Sequence, residues 1–224
     1  MNAETLVTGR RKTGMTQVAA ARALGVSQPY LSFLEKGRRV PTTKFRYKAA
    51  KLYELPTSLP LPSTVKAFEP DELHKKLGSL DYPGFKHVHA ETPDNPAEVV
   101  LGALMKQSLE TRLVEALPWV LGKYTNLDWE WLRDRAKLNN AQNRLGYVVH
   151  LAEQTSLDPQ AVTVLTAWKG ELEEARLAHE GTLCRDSMSE PERKWVKANR
   201  PEAAVHWNLL TTLRAEQLPY VATH

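Results

Sequence analysis

The chain has 224 residues and a single cysteine, Cys184, and this shortage excludes several kinds of protein. One cysteine cannot form an internal disulfide or supply a zinc site made of several cysteines. The chain also lacks an apolar run of about 18 residues, the length that a transmembrane helix needs. Its first residues, MNAETLVTGRRKTG, have no apolar core of signal-peptide length. These absences predict a cytoplasmic protein with no membrane partner.

Sequence signatures of catalysis are also missing. The GxxxxGKS loop that binds nucleotide phosphates does not occur, and neither does the GxGxxG pattern of dinucleotide-binding folds. Cys184 would need a positioned base to act as a nucleophile, and the sequence assigns it none. His87 and His89 form a weak candidate for a metal site and fit a solvated loop better. We therefore expect no enzyme activity, no cofactor and no metal.

Charge is distributed unevenly along the chain. Residues 1–56 contain 11 lysines and arginines but only 3 aspartates and glutamates, which gives a net charge of +8. The remaining residues contain 19 basic and 23 acidic side chains, which gives −4. A basic segment joined to an acidic one predicts that the basic segment binds a polyanion. A basic surface that is simply solvated is the alternative.

Proline and tryptophan divide the chain into three blocks. Residues 1–55 show short helical patterns separated by glycine turns. Residues 56–96 hold 7 of the 14 prolines, which predicts a linker with little regular structure in which ELHKKLGSL could form one short helix. Residues 97–224 contain all 6 tryptophans, which predicts a separate core.

The third block has helical patterns throughout. Apolar residues recur at helical spacing from Val100 to Leu117, and Pro118 is predicted to end that helix. A second long pattern begins at Asp128 and continues to the segment HLAEQT. Alternating apolar and polar runs are absent, as are Asn-Gly and Asp-Gly hairpin signals. The predicted fold class is therefore all-α.

Two further helices of this block have recognisable starts. Asp158 can cap a helix whose first residue is Pro159, a position at which proline is favoured. Ser189 and Glu192 have the spacing of a capping box, in which each side chain satisfies an amide of the other residue. The stretch RPEAAVHWNLLTTL again begins with a proline near a helix start.

In the first block, two short helices are predicted on either side of a glycine turn. Thr16 can cap a helix that ends before Gly25, whose backbone freedom allows a sharp turn. Ser27 can cap the next helix, in which Leu31 and Leu34 face the interior. Two short helices joined by such a turn are typical of a helix-turn-helix motif.

The outer face of the second helix carries a mixed set of side chains that suits base reading. A short helix fits the major groove of DNA, which is about 12 Å wide. There a glutamine can pair with adenine, and an apolar side chain can contact a thymine methyl group. Gln17 and the basic run after Glu35 are predicted to bind phosphates. Helical geometry turns outward Gln28, Pro29, Ser32, Phe33 and Lys36.

Three motifs have the spacing of a known family: MTQ at 15–17, ALGVSQ at 23–28, and LSFLEKGRR at 31–39, followed by Pro41. Through these motifs, residues 5–55 resemble the Cro and lambda-repressor-like helix-turn-helix domain of the XRE family. The resemblance implies a DNA-binding regulator of transcription that represses from a double-stranded operator. It covers under a quarter of the chain.

The resemblance also implies roles for single residues. Side chains at the positions of Gln17 and Gln28 approach DNA in the family, and Arg10 and Glu35 match a buried ion pair. Proline and phenylalanine depart from the usual polar residues at two of the DNA-facing positions, so base reading is expected to depend more on shape and on methyl contacts. The predicted DNA-binding residues are Gln17, Ser27, Gln28, Pro29, Tyr30, Ser32, Phe33, Lys36, Arg38 and Arg39.

The last block also carries a resemblance. SMSEPERKWVKANRPEAAVHWNLLTTLRAEQLPYV, residues 187–221, resembles the C-terminal part of bacterial helix-turn-helix proteins that accompany a toxin. It implies an antitoxin that represses its own operon and neutralises a cognate toxin through residues 97–224. The alternative is a phage-type or stand-alone regulator whose C-terminal domain dimerises or senses a ligand. An enzyme with an attached helix-turn-helix is a third hypothesis, without a catalytic constellation to support it.

A homodimer is expected in either regulator, because one recognition helix reads too few base pairs for a specific operator.

Overall fold

The computed structural model describes residues 3–39, 41, 43–55, 67–85 and 94–221. Its contacts divide the chain into two compact units: residues 1–63 with 126–128, and residues 64–125 with 129–224. Within the described ranges the chain is helical apart from one pair of two-residue strands, which confirms the all-α prediction. In those ranges no helix is long and apolar enough to cross a membrane, and no group of three histidine, cysteine or acidic side chains could hold a metal ion. His87 and His89 lie outside the described residues.

Four helices form the N-terminal unit: α1 (Ala3–Lys12), α2 (Gln17–Leu24), α3 (Gln28–Glu35) and α4 (Thr43–Leu52). Each of them turns an apolar side toward one shared core. Burying a leucine or phenylalanine side chain in such a core contributes about 1.5–3 kcal/mol. The core side chains include Leu6, Ala20, Leu24, Leu31, Leu34 and Phe45.

The turn between α2 and α3 has the predicted chemistry. The hydroxyl of Thr16 accepts a hydrogen bond from the Ala19 amide at 3.1 Å, which caps α2. Gly25 then adopts a left-handed conformation with φ of 70°, which side chains with a Cβ rarely adopt. The hydroxyl of Ser27 accepts from the Tyr30 amide at 3.3 Å and caps α3. The predicted caps and turn are confirmed.

The C-terminal unit contains eight helices within the described ranges. They are α5 (Pro70–Ser79), α6 (Pro96–Leu104), α7 (Thr111–Lys123), α8 (Trp129–Leu138), α9 (Gln142–Thr155), α10 (Pro159–Glu173), α11 (Glu190–Asn199) and α12 (Glu202–His206). Short 3-10 turns follow α5 at Pro83–Phe85 and β2 at Ala215–Gln217. The strands β1 (Gly181–Thr182) and β2 (Leu209–Leu210) pair in parallel.

Helix α9 is the centre of this unit. Its side chains are buried on nearly every side, and it packs against α6, α7, α8, α10 and α12. Close approach requires a glycine at one point, because a Cβ at Gly146 would overlap the indole of Trp207. Tyr147 is buried beside this contact and donates its hydroxyl to the carbonyl of Leu213 at 2.5 Å.

The prediction of one continuous helix up to Pro118 is wrong, because the structure has two helices, α6 and α7, in this part of the chain. The chain leaves α6 after Leu104, and residues 107–109 instead pair with residues 184–186: the Leu109 amide donates to the Cys184 carbonyl at 2.9 Å. Arg144 stabilises the break by donating to the carbonyls of Leu104 and Lys106. These partners lie far away in sequence, so periodicity could not predict the break.

Pro118 lies inside α7 instead of ending it. A proline removes one backbone hydrogen bond from a helix interior and kinks or breaks many helices. Here Pro118 and its neighbours Leu117 and Val120 are buried, and α7 packs along α9. We attribute the continued helix to this packing.

The pattern that begins at Asp128 is also divided into two helices. Asn140 adopts a positive φ of 53° between α8 and α9, a conformation that asparagine tolerates better than most residues. The other predicted helix starts are confirmed. Asp158 accepts from the Gln160 amide at 3.0 Å, and Ser189 and Glu192 form a capping box.

The segment predicted as a linker, residues 56–96, contains regular structure. Residues 56–66 and 86–93 lie outside the described residues. Between them, α5 buries Leu73 and Leu77 against the C-terminal unit, and Phe85 in the following turn is also buried. Pro70 begins α5 in a position that proline tolerates, and the stretch ELHKKLGSL, which was predicted to be able to form one short helix, lies in α5 except for its last residue.

Candidate nucleic-acid interface

Helix α3 has one buried side and one exposed side. Leu31 and Leu34 are fully buried in the core of the N-terminal unit. Pro29 and Lys36 are exposed on the other side, and 40% of the Phe33 surface is accessible. Pro29 lies in the first turn, where it removes no hydrogen bond from the helix. The exposed side is therefore short, partly apolar and free of acidic groups.

An ion pair anchors the far end of α3. Arg10 of α1 and Glu35, the last residue of α3, form two parallel hydrogen bonds: Nε to Oε1 at 2.7 Å and Nη2 to Oε2 at 3.0 Å. The side chain of Glu35 is 3% exposed and that of Arg10 is 13% exposed. The third nitrogen of Arg10, Nη1, donates to the carbonyl of Met15 at 2.9 Å. The predicted pairing of Arg10 with Glu35 is present in the structure.

Both charges of this pair are maintained by their surroundings. Burial on its own would raise the pKa of Glu35, but the hydrogen bonds from Arg10 and Gln17 outweigh burial and lower the pKa below its ordinary value. The hydrogen bond to Glu35 raises the pKa of Arg10. The buried hydroxyl of Tyr53 lies near the pair, and burial together with the Glu35 charge raises the pKa of Tyr53 to about 12.

A chain of hydrogen bonds connects the ion pair to the start of α3. Gln17 donates from Nε2 to Oε2 of Glu35 at 2.8 Å. Gln28 donates from its own Nε2 to Oε1 of Gln17, also at 2.8 Å. The side chains of Gln17 and Gln28 are therefore oriented by a buried charge pair before any ligand binds. Their amide O and N assignments follow from this network, which is internally consistent.

The basic residues follow the end of α3. Gly37 adopts φ of 69°, and the Arg38 amide donates to the Phe33 carbonyl at 2.9 Å, which closes the helix. Lys36, Arg38 and Arg39 are all exposed. The guanidinium carbon of Arg39 lies 5.7 Å from the centre of the Tyr30 ring.

The predicted DNA-binding residues therefore occupy four kinds of position, and Arg38 and Arg39, exposed after the end of α3, are the first of these. Pro29, Phe33 and Lys36 are exposed on the outer side, and Ser32 is half-buried beside them. Gln17 and Gln28 are half-buried in the hydrogen-bonded chain, while Ser27 is exposed as the cap. Tyr30 differs from the others, because its ring packs on the core.

Sequence reasoning did not predict the bond between Gln17 and Gln28 or the contact between Tyr30 and Arg39. One signal for the first was available, since the two glutamines are the first residues of two successive helices joined by a tight turn. The second depends on the course of the chain after Gly37, and no local pattern indicates it.

The comparisons with known proteins agree with this geometry. Residues 9–59 match a family model described as helix-turn-helix, which spans α2, α3 and α4 and most of the residues above. No curated protein and no solved structure matches the chain. The fold and the site define an N-terminal helix-turn-helix domain. Through residues 9–59, the match supports a DNA-binding transcription regulator of the Cro and lambda-repressor-like kind.

Proposed function

We propose that the protein is a transcriptional repressor that binds a specific operator through α3. The observation that carries the proposal is the fixed position of Gln28 in the first turn of that helix, bonded to Gln17 and through it to the Arg10–Glu35 pair. A glutamine whose orientation is set in advance loses less conformational entropy when it pairs with a base. The exposed Phe33 suits a thymine methyl group.

We propose that the repressor acts as a homodimer. One α3 contacts only a few base pairs, so two copies related by a two-fold axis would read half-sites about 34 Å apart. The C-terminal unit supports this assembly with large exposed apolar side chains: Trp195 is 61% exposed on α11 and Val205 is 48% exposed on α12. A protein of this kind acts on DNA in the cytoplasm, associated with the nucleoid.

An antitoxin role for residues 97–224 is the finer proposal. It is supported by the resemblance of residues 187–221 to helix-turn-helix proteins that accompany a toxin, and by Trp195, which lies within that segment. Exposed tryptophans are frequent anchors of protein interfaces. A ligand-sensing domain is the alternative, and a cleft of about 510 Å³ beside His150, Lys169 and His206 is the observation that favours it.

The operator proposal is tested by selecting bound duplexes from a pool of random sequence with the full-length chain. We expect an enriched sequence with dyad symmetry, and a mass that corresponds to two chains on each duplex. The Gln28→Ala chain should lose the base preference at one position in each half-site. The Gln154→Ala chain, changed at an exposed glutamine of α9, is the control and should select the original sequence. Selection without enrichment would show that α3 does not read bases.

The antitoxin proposal is tested with the product of the open reading frame beside the gene. That product should arrest growth when expressed alone, and the full-length chain should relieve the arrest and form a stable complex. Trp195→Ala should weaken the complex, whereas Val18→Ala, which removes an exposed apolar side chain outside residues 97–224, should not. A neighbouring product that neither binds the chain nor affects growth would exclude this role.

A further inference from the structure

The Tyr30 ring is held in a fixed position within the N-terminal unit. Tyr30 is the third residue of α3, and its side chain packs against the core instead of projecting from the exposed side. The ring meets Phe45 of α4 edge to face, with 6.4 Å between the ring centres and an interplanar angle of 82°. Phe45 is itself buried. A ring held in this way offers a rigid surface to whatever lies on its other side.

Arg39 lies on that surface. The chain reverses after α3 through Gly37, and the guanidinium of Arg39 then lies over the ring at 5.7 Å from its centre. A guanidinium is planar, so it can contact an aromatic ring with its face while its N–H edges remain directed toward another group. Among the described residues, neither Lys36 nor Arg38 has such a ring beneath it. Arg39 therefore differs from the two basic residues near it in being oriented before any ligand binds.

We propose that Tyr30 is a positioning residue that orients the Arg39 guanidinium for a DNA phosphate. The inference rests on the proposed DNA-binding function and assigns Tyr30 a role through Arg39 instead of a contact of its own with bases. An arginine already placed on a ring loses less side-chain freedom when it binds a phosphate oxygen. The contribution of Arg39 to affinity is expected to be independent of the DNA sequence, since phosphates are the same at every base pair.

Binding of the full-length chain to a short duplex of mixed sequence measures this contribution without knowledge of the operator. Arg39→Ala should lower the affinity and reduce the slope of log K against log salt by about one, as the loss of one phosphate contact does. Tyr30→Leu keeps an apolar side chain against the core but removes the ring, and should lower the affinity about two- to fivefold. Tyr30→Phe keeps the ring without the hydroxyl and should bind as the unchanged chain does.

The combination of two changes separates positioning from a structural role. In a chain that already carries Arg39→Ala, the additional Tyr30→Leu change should have no further effect on affinity. A further loss of similar size would overturn the inference while leaving DNA binding intact, as would a loss of affinity in Tyr30→Phe, which would assign the contact to the hydroxyl. If the unchanged chain bound no duplex at low salt, the proposed function and the inference would both be wrong.

A second variant covers the case in which Tyr30→Leu does not fold. Arg39→Lys keeps the charge but replaces the planar group with an ammonium that does not lie flat on a ring. Its affinity should fall by about the factor expected for Tyr30→Leu, two- to fivefold. An Arg39→Lys chain that binds as tightly as the unchanged chain would overturn the inference, because charge alone would then account for the contribution of Arg39.

Discussion

Gln28 donates its side-chain N–H to the side-chain oxygen of Gln17 at 2.8 Å, so the first residues of two successive helices are bonded to each other. Gln17 is in turn bonded to Glu35 at the opposite end of α3. The side chain proposed to read a base is thus connected to the side chain that anchors the helix. A change at Glu35 is therefore expected to affect the orientation of Gln28 as well as the anchoring of α3.

Gln28→Ala and Arg38→Ala should separate base reading from phosphate binding. Gln28→Ala removes a base contact worth about 1–3 kcal/mol of discrimination, so it should weaken binding to the selected operator and leave binding to a scrambled duplex nearly unchanged. Arg38→Ala should weaken both by a similar factor, because phosphates carry no sequence information. The measurement is the affinity of each chain for both duplexes at one salt concentration. If Gln28→Ala lowered the affinity for the operator and for the scrambled duplex by the same factor, as Arg38→Ala is expected to do, α3 would not be the helix that reads bases.

The buried ion pair should show strong non-additivity in stability. Removing only Arg10 or only Glu35 leaves an uncompensated charge and should cost about 3–5 kcal/mol, whereas replacing both with apolar residues should cost much less. The free energy of unfolding of the N-terminal unit can be measured by hydrogen exchange of the amides in α3. Tryptophan fluorescence cannot replace this measurement, because all 6 tryptophans lie in residues 97–224 and report on the other unit. Small and additive effects would contradict the burial of the pair.

The same pair should make the stability of the N-terminal unit depend on pH. The pKa of Glu35 is lower in the folded chain than in the unfolded chain, so its contribution is present above the unfolded pKa of about 4.3 and is lost as the pH falls through the folded pKa. The stability difference between the unchanged chain and Glu35→Gln should therefore be large at neutral pH and shrink in acid. Hydrogen exchange of the α3 amides in both chains, at neutral pH and in acid, measures this stability difference. A difference that stays constant would show that Glu35 is not ionised in the folded chain.

Tyr53→Phe should leave stability unchanged or raise it by about 1 kcal/mol. Within the part of the chain that the structure describes, the buried hydroxyl of Tyr53 has no hydrogen-bond partner, and an unsatisfied polar group in a core is costly. Tyr147→Phe is the matched control and should destabilise the C-terminal unit. The Tyr147 hydroxyl is bonded to the Leu213 carbonyl, and that carbonyl would lose its donor. Denaturant unfolding of each unit, monitored by hydrogen exchange, gives the changes in free energy of unfolding that the two substitutions cause. Destabilisation by Tyr53→Phe would indicate a bound water or another partner at that hydroxyl.

Gly146→Ala should destabilise the C-terminal unit, because the added methyl group would overlap the Trp207 ring at the centre of the packing around α9. Gly170→Ala is the control. Gly170 is exposed in α10 and a methyl group there would meet nothing, so that change should stabilise the helix by up to about 1 kcal/mol. Tryptophan fluorescence during denaturant unfolding reports both effects. Equal stabilities of the two variants would show that Trp207 can move away from α9.

Features with local causes were predicted correctly from the sequence. The caps at Thr16, Ser27 and Asp158 depend on a side chain and an amide two or three residues later, and all three are present. The spacing of Leu31 and Leu34 also identified the buried side of α3. Such features depend on few atoms and little tertiary context, which is why single-sequence reasoning finds them.

Features with distant causes were missed. The break after Leu104 depends on residues 184–186 and on Arg144, and the helix around Pro118 continues because α9 packs beside it. The Arg10–Glu35 pair was predicted only through the family resemblance, since 25 residues separate its members. Tertiary packing decides such positions, and a periodic pattern carries no information about it.

The pairing of residues 107–109 with residues 184–186 affects the order in which the chain acquires structure during translation. The core of the N-terminal unit lies within its first 53 residues, so it can form soon after they leave the ribosome. The C-terminal unit cannot complete its packing until residue 186 and the later β2 have also emerged, because both hold segments made much earlier. A nascent chain that stalls between these points would carry a finished helix-turn-helix domain and an incomplete second unit. If the proposed function is correct, we expect such truncated products to bind DNA without the contribution of the second unit.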